Sequence, residues 1–230
     1  MKRFGTVLIV LGVIAALLVG AEFAVRYVVQ SQAQKAIEGV QPPLVNPTMT
    51  LGGGSVLAAA AQGRFVDVSG TADSVQVPFQ GHQVPVTTIS YQATQIRLVS
   101  PSEAVIGRLD LTGTLGYDGL SKVAGLPIVH GGEGRILVTY AVDILGLNAL
   151  DIGISGVPVL DVTTQQVDLE QSRIDVAGIS IDESLSQQII DRVVKPISLA
   201  ADDRVIVNSI AVAPEGLVVT LTATDVPVHR

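Results

Sequence analysis

The sequence predicts an α+β fold in which an antiparallel sheet packs its dry face against an amphipathic helix. Two patterns support this. Apolar and polar residues alternate along much of the chain, most clearly from Ile136 to Ile144, and this period of two is typical of strands with one wet face. Ser180 to Glu183 reads as a capping box. Leu185, Ile189 and Val193 then follow four residues apart, which predicts a helix with one apolar stripe.

The N-terminus predicts export. Lys2 and Arg3 precede an apolar run of 18 residues, Phe4 to Ala21, which is the order of a signal peptide. The small residues Val19-Gly20-Ala21 suit cleavage, but the run is also close to the minimum length of a spanning helix. We therefore expect residues 1–21 to be a signal peptide or an N-terminal membrane anchor. Either way the remainder is expected in the periplasmic space or on the outer face of the cytoplasmic membrane.

We predict one boundary in the chain after residue 21, between residues 40 and 41. Residues 22–40 read as an N-terminal helix, which Gly39 and the prolines after it end. No linker rich in Ser, Gly or Pro interrupts the rest of the chain, so residues 41–230 are expected to form a single domain. Ser55 to Gln62 reads as a short helix after a turn of three glycines.

Most of this domain is expected to be strand. Asp118 is a candidate cap for a short helix, Gly119 to Ala124, and Pro214-Glu215-Gly216 predicts a hairpin. Strands are expected over residues 64–77, 84–99, 105–116, 136–144, 157–169, 173–176, 205–212 and 217–223.

Composition excludes several classes of protein. The chain of 230 residues has no Cys, which excludes a disulfide scaffold, a thiolate zinc site, an iron–sulfur cluster and a lipid-anchored cysteine. Its net charge of -7 lacks the cationic footprint of a nucleic-acid-binding protein. The chain is 48% hydrophobic but only 3% aromatic. Its interior is therefore expected to be almost entirely aliphatic.

We find no catalytic constellation in the sequence. The three histidines, His82, His130 and His229, have no second ligand at metal-like spacing. There is no nucleophile elbow and no phosphate-binding glycine loop. Asp168 and Glu170 lie on one side of a strand and, with Asp151 or Asp161, could bind calcium, although we favour no metal site here. We therefore expect no enzyme activity, no metal and no cofactor.

The aliphatic interior allows two interpretations. A sheet around an amphipathic helix can enclose an elongated groove, and aliphatic walls suit acyl chains because each buried CH₂ contributes about 0.8 kcal/mol. An ordinary filled core has the same composition. Composition alone does not decide between them, and by itself it favours the filled core.

Three segments carry a resemblance to a known family. They are a Gly-Arg-Phe-x-x-Val strand at Gly63 to Val68, a Gly-Thr-initiated segment at Gly113 to Leu120, and a final hairpin at Ser209 to Val219. Together with the N-terminal export segment and helix, this order resembles the LmeA-like family, the actinobacterial exported phospholipid-binding proteins of the lipomannan elongation factor type. The likeness covers most of residues 22–228. Two segments depart from the family pattern, Gly54 to Ala58 and Ala200 to Arg204.

The resemblance implies a fold and a function. The fold is a long, curved antiparallel sheet wrapped around a helix, similar to tubular, BPI-like lipid-binding domains. The function is binding of phospholipid in the cell envelope in support of lipoglycan or envelope assembly, with an envelope glycosyltransferase as a further partner. The groove candidates are Leu57, Phe65, Phe79, Leu111, Leu115, Val138, Tyr140, Leu185 and Ile189, and the head-group candidates are Arg64, Arg97 and Arg135.

A second function class stays open beside this one. With a filled core, the protein would be a structural envelope protein that holds a membrane enzyme complex together. The two classes differ in whether purified protein carries lipid.

Overall fold

The described part of the chain contains two antiparallel sheets, two short helices and helical backbone at residues 22, 26–27 and 30–31. A computed structural model describes residues 22, 26–27, 30–31, 43–79, 81–100, 103–144, 147–176, 179–180, 197–199 and 203–229. Among these residues no helix has both the length and the apolar character to cross a membrane.

The first sheet is built around three long strands that pair in sequence order, β3, β4 and β5. β5 also pairs with the C-terminal strand β13, which pairs with β12. The strand order is therefore β1-β3-β4-β5-β13-β12, with β2 beside β3. The bounds are β1 (Leu44–Val45), β2 (Thr50–Leu51), β3 (Val68–Phe79), β4 (His82–Ser100), β5 (Glu103–Gly116), β12 (Val205–Ala213) and β13 (Gly216–His229).

The second sheet comes from the middle of the chain. Its order is β10-β9-β8-β7-β6, with β11 beside β9. The bounds are β6 (Ile128–His130), β7 (Ile136–Ile144), β8 (Leu147–Asp161), β9 (Gln166–Val176), β10 (Ile179–Ser180) and β11 (Ile197–Ser198).

The predicted antiparallel strands and α+β class are confirmed, but the strands form two sheets where the sequence predicts one. The helix expected after Ser180 lies outside the described residues, apart from Ser180 itself, which ends β10. The wrapping of a curved sheet around that helix, and the single domain over residues 41–230, therefore stay predictions.

Both short helices begin near the expected residue. α1 (Val56–Ala61) is capped by Ser55, whose Oγ accepts a hydrogen bond of 3.1 Å from the N–H of Ala58. α2 (Tyr117–Ala124) ends at Gly125, which has a left-handed φ of 68°. The prediction that Asp118 caps α2 is wrong: the helix starts at Tyr117, two residues before the predicted start at Gly119, and Asp118 lies in its first turn.

The prediction of one strand over residues 157–169 is also wrong. β8 ends at Asp161, and β9 begins at Gln166. The carboxylate of Asp161 accepts hydrogen bonds from the backbone N–H groups of Thr163, at 2.8 Å, and Thr164, at 3.3 Å. This side-chain-stabilised turn reverses the chain in the middle of an apparently continuous β pattern.

The alternation of buried residues shifts phase at defined points in the first sheet. In β4, Ala93 and Ile96 are both buried although they are three residues apart. Gln95, which lies between them, has a positive φ of 56°. Gln95, Gly107 of β5 and Asp225 of β13 lie at the same level across the three neighbouring strands, which we call the row. Asp225 also has a positive φ, of 49°. Because the alternation shifts at the same level in all three strands, their apolar side chains stay on one face of the sheet.

Two links join the sheets. α2 follows β5 directly and leads to β6 of the second sheet. At the turn between β8 and β9, the side-chain amide of Gln165 pairs with the backbone of Val207 in β12. Its Nε2 donates to the carbonyl of Val207 at 3.1 Å, and its Oε1 accepts from the N–H of Val207 at 2.7 Å.

The larger buried cluster lies at one end of the first sheet, beneath α1 and β2. Phe65, Tyr91 and Leu109 are among the partly buried residues that pack against it. Its buried members are Met49, Leu51, Val56, Val66, Val68, Ala93 and Ile96.

Candidate functional site

A pocket of about 310 Å³ opens beside α1. One wall is the C-terminal half of α1, the opposite wall is β4, and the segment between α1 and β3 lies between them. The volume is within the range of small-molecule sites, at its lower end. The lining residues are Ala59, Gln62, Arg64, Phe65, Asp67, Gln95 and Ile96.

Backbone pairing holds the two walls together. The N–H of Phe65 donates to the carbonyl of Ile96 at 2.9 Å, and the N–H of Arg64 donates to the carbonyl of Ala59 at 2.9 Å. Arg64 also forms an isolated antiparallel bridge with Arg97. Two of the three predicted head-group residues are therefore direct neighbours across this bridge.

The floor of the pocket is apolar. Ile96 is 8% exposed and belongs to the large buried cluster, and the half-buried Phe65 packs against the same cluster. Apolar ligand atoms placed here would rest on residues that are already packed from below.

The rim of the pocket carries both signs of charge. Arg64 and Asp67 are exposed, and the guanidinium of Arg64 donates to the side-chain carbonyl of Gln62. Arg97 forms an ion pair of 2.9 Å with Asp225, with side chains 61% and 69% exposed. Pairs this exposed contribute little to stability, so an anionic ligand can compete for the guanidinium of Arg97.

Arg135 lies apart from the other two arginines, in the second sheet. Its guanidinium donates to the carbonyl of Ser155 at 3.2 Å and to that of Gln171. Gln171 has a φ of 48° and lies at the bulge in β9. Arg135 therefore ties together β7, β8 and β9, and its donors are directed at the backbone.

The groove candidates are distributed over both sheets. Leu111 and Leu115 are half-buried on β5, and each is opposite an apolar residue of β13. Val138 is half-buried on β7, whereas Tyr140, two residues on, is 40% exposed. The structure thus brings Leu111 and Leu115 onto one strand face but gives no direct contact between them and Val138.

The remaining candidates are less well placed or lie outside the described residues. Leu57 is on α1 and is 36% exposed. Phe79 ends β3 opposite His82, but its side chain is not among the described ones, and Leu185 and Ile189 lie outside the described residues altogether.

A comparison with protein-family models gives one match. The model described as LmeA-like phospholipid-binding aligns with residues 20–222. The chain belongs to the LmeA-like phospholipid-binding family. No individual curated protein and no solved structure matches it significantly. Membership indicates lipid binding as the general activity, and the family is characterised by binding rather than by a reaction.

In this LmeA-like chain, sequence reasoning misses the N-terminal residues that bind the start of α1 and the segment before it. The backbone of Glu22, Arg26 and Gln30 is helical. Arg26 donates to the carbonyl of Leu51 at 2.8 Å and also to those of Gly52 and Gly54. Gln30 donates to the carbonyl of Met49 at 3.4 Å. The available signal is the four-residue spacing of three polar residues on one helix face.

Glu22 contacts the start of α1 directly. Its carboxylate accepts hydrogen bonds from the N–H of Val56 at 2.6 Å, the N–H of Leu57 at 3.2 Å and the hydroxyl of Ser55 at 2.8 Å. The hydrogen bond from Val56 is the main reason that the pKa of Glu22 is lowered. We call Glu22, Arg26 and Gln30 the N-terminal clamp.

The LmeA-like pocket is equipped for binding through apolar contact and charge. Within the described residues no group of three His, Asp or Glu side chains is placed to hold a metal ion. Of the weak calcium candidates, Asp168 and Glu170 are exposed on β9, and the carboxylate of Asp161 is used by its own turn. Burial raises the pKa of Tyr91, whose hydroxyl donates to the carbonyl of Thr48 at 2.8 Å.

Proposed function

We propose that this protein binds a phospholipid non-covalently in the bacterial cell envelope and passes it on in support of lipoglycan or envelope assembly. The observation that supports this most directly is the pocket beside α1, with Ile96 and Phe65 in its lining, Arg64 at its edge and Arg97 paired with Arg64, in an LmeA-like chain. The proposal includes no bond chemistry and no cofactor.

Binding would divide between tails and head group. The acyl chains are buried along the aliphatic faces of the sheets, at about 0.8 kcal/mol for each CH₂ removed from water. The expected wrapping of a curved sheet around the amphipathic helix would complete the groove, with Leu185 and Ile189, which lie outside the described residues, as expected tail contacts. Arg64 and Arg97 meet the phosphate, because guanidinium groups form paired, charge-assisted hydrogen bonds with phosphate oxygens.

The cellular setting of the proposal comes from the export segment. Residues 1–21 direct the protein across the cytoplasmic membrane, and it works on the outer face or in the periplasmic space. There an envelope glycosyltransferase that consumes or senses the lipid is a suitable partner.

The deciding experiment is lipid extraction and mass spectrometry of the full chain purified without delipidation. The expected result is a stoichiometric amount of phospholipid. Leu115→Trp and Val138→Trp should reduce the lipid content while the circular dichroism spectrum stays unchanged, because the indole fills space that the tails occupy.

The head-group assignment has its own matched pair of variants. Arg64→Gln should lower the amount of bound phospholipid, whereas Arg173→Gln, an exposed arginine of the second sheet, should leave it unchanged. Lipid-free wild-type protein that unfolds when Leu115 or Val138 is replaced by Trp would instead indicate a filled core and favour the scaffold function.

A further inference from the structure

We propose that the corner formed by the N-terminal clamp and α1 is the surface through which this protein contacts a phospholipid bilayer. The inference rests on the proposed function, since a phospholipid pocket needs access to a membrane. It adds which face of the molecule meets the lipid surface, with Tyr27 and Leu57 as the inserted side chains.

The clamp fixes the N-terminal helix to α1. Glu22 binds the first backbone N–H groups of α1, and Arg26 binds the carbonyls of the glycine turn just before it. Glu22 and Arg26 are therefore attached to the N-terminal end of α1 and to the segment just before it.

The apolar run of the sequence ends at Ala21, immediately before Glu22. With residues 1–21 as the expected anchor, Glu22 is the first residue after it, and its contact would place the start of α1 close to the membrane. With a cleaved signal peptide, the same surface would meet the membrane through Tyr27 and Leu57 alone.

Two apolar side chains are unburied at this corner. Tyr27 is 77% exposed, and Leu57 on α1 is 36% exposed. Tyr27 follows Arg26 by about 100° around the helix, so it lies to one side of the clamped face. A tyrosine at this position suits the boundary between head groups and acyl chains, where aromatic residues with a polar tip concentrate.

Charge argues for apolar insertion rather than electrostatic attraction. The chain carries a net charge of -7, and Arg26, the cation of the clamp, is directed at backbone carbonyls. Membrane contact through a polybasic patch would weaken with salt. Contact through Tyr27 and Leu57 should be nearly independent of ionic strength.

The test uses the absence of Cys from the chain. Full-length Leu57→Cys and Tyr27→Cys, each labelled with an environment-sensitive nitrobenzoxadiazole fluorophore, are reconstituted into vesicles of phosphatidylcholine and phosphatidylglycerol that contain doxyl-labelled lipid. Ile206→Cys and Val162→Cys are the matched controls, because these residues are 45% and 50% exposed but lie on β12 and in the β8–β9 turn.

The expected result is a blue-shifted emission and a several-fold larger quenching at positions 27 and 57 than at positions 206 and 162, unchanged between low and high salt. Quenching at 27 and 57 no greater than at the controls would overturn the membrane-contact surface. The lipid extracted from the same preparations reports separately on the proposed function: bound phospholipid without selective quenching would retain the lipid site and reject this surface.

Discussion

At the scale of single residues, the least exposed apolar side chain in the described part of the chain, Ile174, lies in the second sheet. Ile154 and Ile174 are opposite each other on β8 and β9 and are 2% and 1% exposed. Both are buried inside a small cluster, so neither site can collapse easily around a missing side chain.

Ile174→Ala is therefore expected to lower the free energy of unfolding by about 2–5 kcal/mol. Ile206→Ala, at a position that is 45% exposed, should change it by less than about 0.5 kcal/mol. Chemical denaturation of both variants measures the difference. Equal effects at the two positions would show that the second sheet is loosely packed.

Glu22 gives a prediction of pH dependence. Its pKa in the folded chain is below the ordinary value of 4.5, chiefly because of the N–H of Val56. A carboxyl group whose pKa falls on folding stabilises the fold above its unfolded pKa, and this stabilisation is lost as pH falls through the folded pKa.

Glu22→Gln should thus lower the melting temperature at neutral pH, and the gap from wild type should narrow as the solution is acidified below the ordinary pKa of 4.5. Glu133→Gln, at an exposed position in a turn, serves as the control with no such gap. A difference for Glu22→Gln that stays constant down to acid pH would contradict the role of the charge.

Sequence reasoning reaches part of the site at this scale. A short motif identifies Arg64 and Phe65, and both line the pocket. Arg135 looks equivalent to Arg64 in sequence, because nothing local shows that its partners are carbonyls 20 and 36 residues away. The role of Glu22 is likewise hidden, since its partners begin 33 residues later.

At the scale of elements, the alternation of apolar and polar residues predicts most strands. It does not predict where the buried face of a strand changes or where the chain reverses. The phase shift at Gln95 leaves a readable signal, two buried apolar residues three apart, Ala93 and Ile96. The reversal at Asp161 also leaves a readable signal. Thr163 and Thr164 follow Asp161 closely, and their N–H groups donate hydrogen bonds to its carboxylate. The division into two sheets depends on pairings between distant strands, and no local pattern records these.

The link between the sheets is open to a direct test. Gln165→Ala removes both hydrogen bonds to the backbone of Val207, a residue that is 6% exposed. Leaving a buried donor and acceptor unpaired should cost about 1–3 kcal/mol. Amide hydrogen exchange at Val207 and the free energy of unfolding measure the effect.

Gln166→Ala is the matched control, because Gln166 is exposed at the start of β9. Protection of the Val207 amide should fall in Gln165→Ala and persist in Gln166→Ala. Unaltered protection in both would mean that the two sheets are held together without this amide.

At the scale of the whole molecule, the low aromatic content leaves aliphatic faces on both sheets. Residues such as Leu111, Leu115 and Val138 are half-buried, so part of each side chain is exposed to solvent. If acyl chains complete the burial of these faces, the folded protein is stabilised by its ligand, by about 2.7 kcal/mol at a free ligand concentration one hundred times the Kd.

Delipidation with a mild detergent should accordingly lower the melting temperature, and phosphatidylglycerol added back should restore it in a concentration-dependent way. Calorimetry measures both steps, with a soluble short-chain phosphate ester as the control that offers a head group without tails. A melting temperature indifferent to delipidation would favour the scaffold function over lipid binding.

The row shared by Gln95, Gly107 and Asp225 has a consequence for how this chain can diverge. A Cβ on Gly107 would come within 2.9 Å of the Cβ of Gln95, and the two neighbours of Gly107 in the row both hold left-handed backbone. Substitutions at one member therefore change the cost of substitutions at the others. We therefore expect these three positions, far apart in the sequence, to be energetically coupled, and relatives should exchange them together or retain them all.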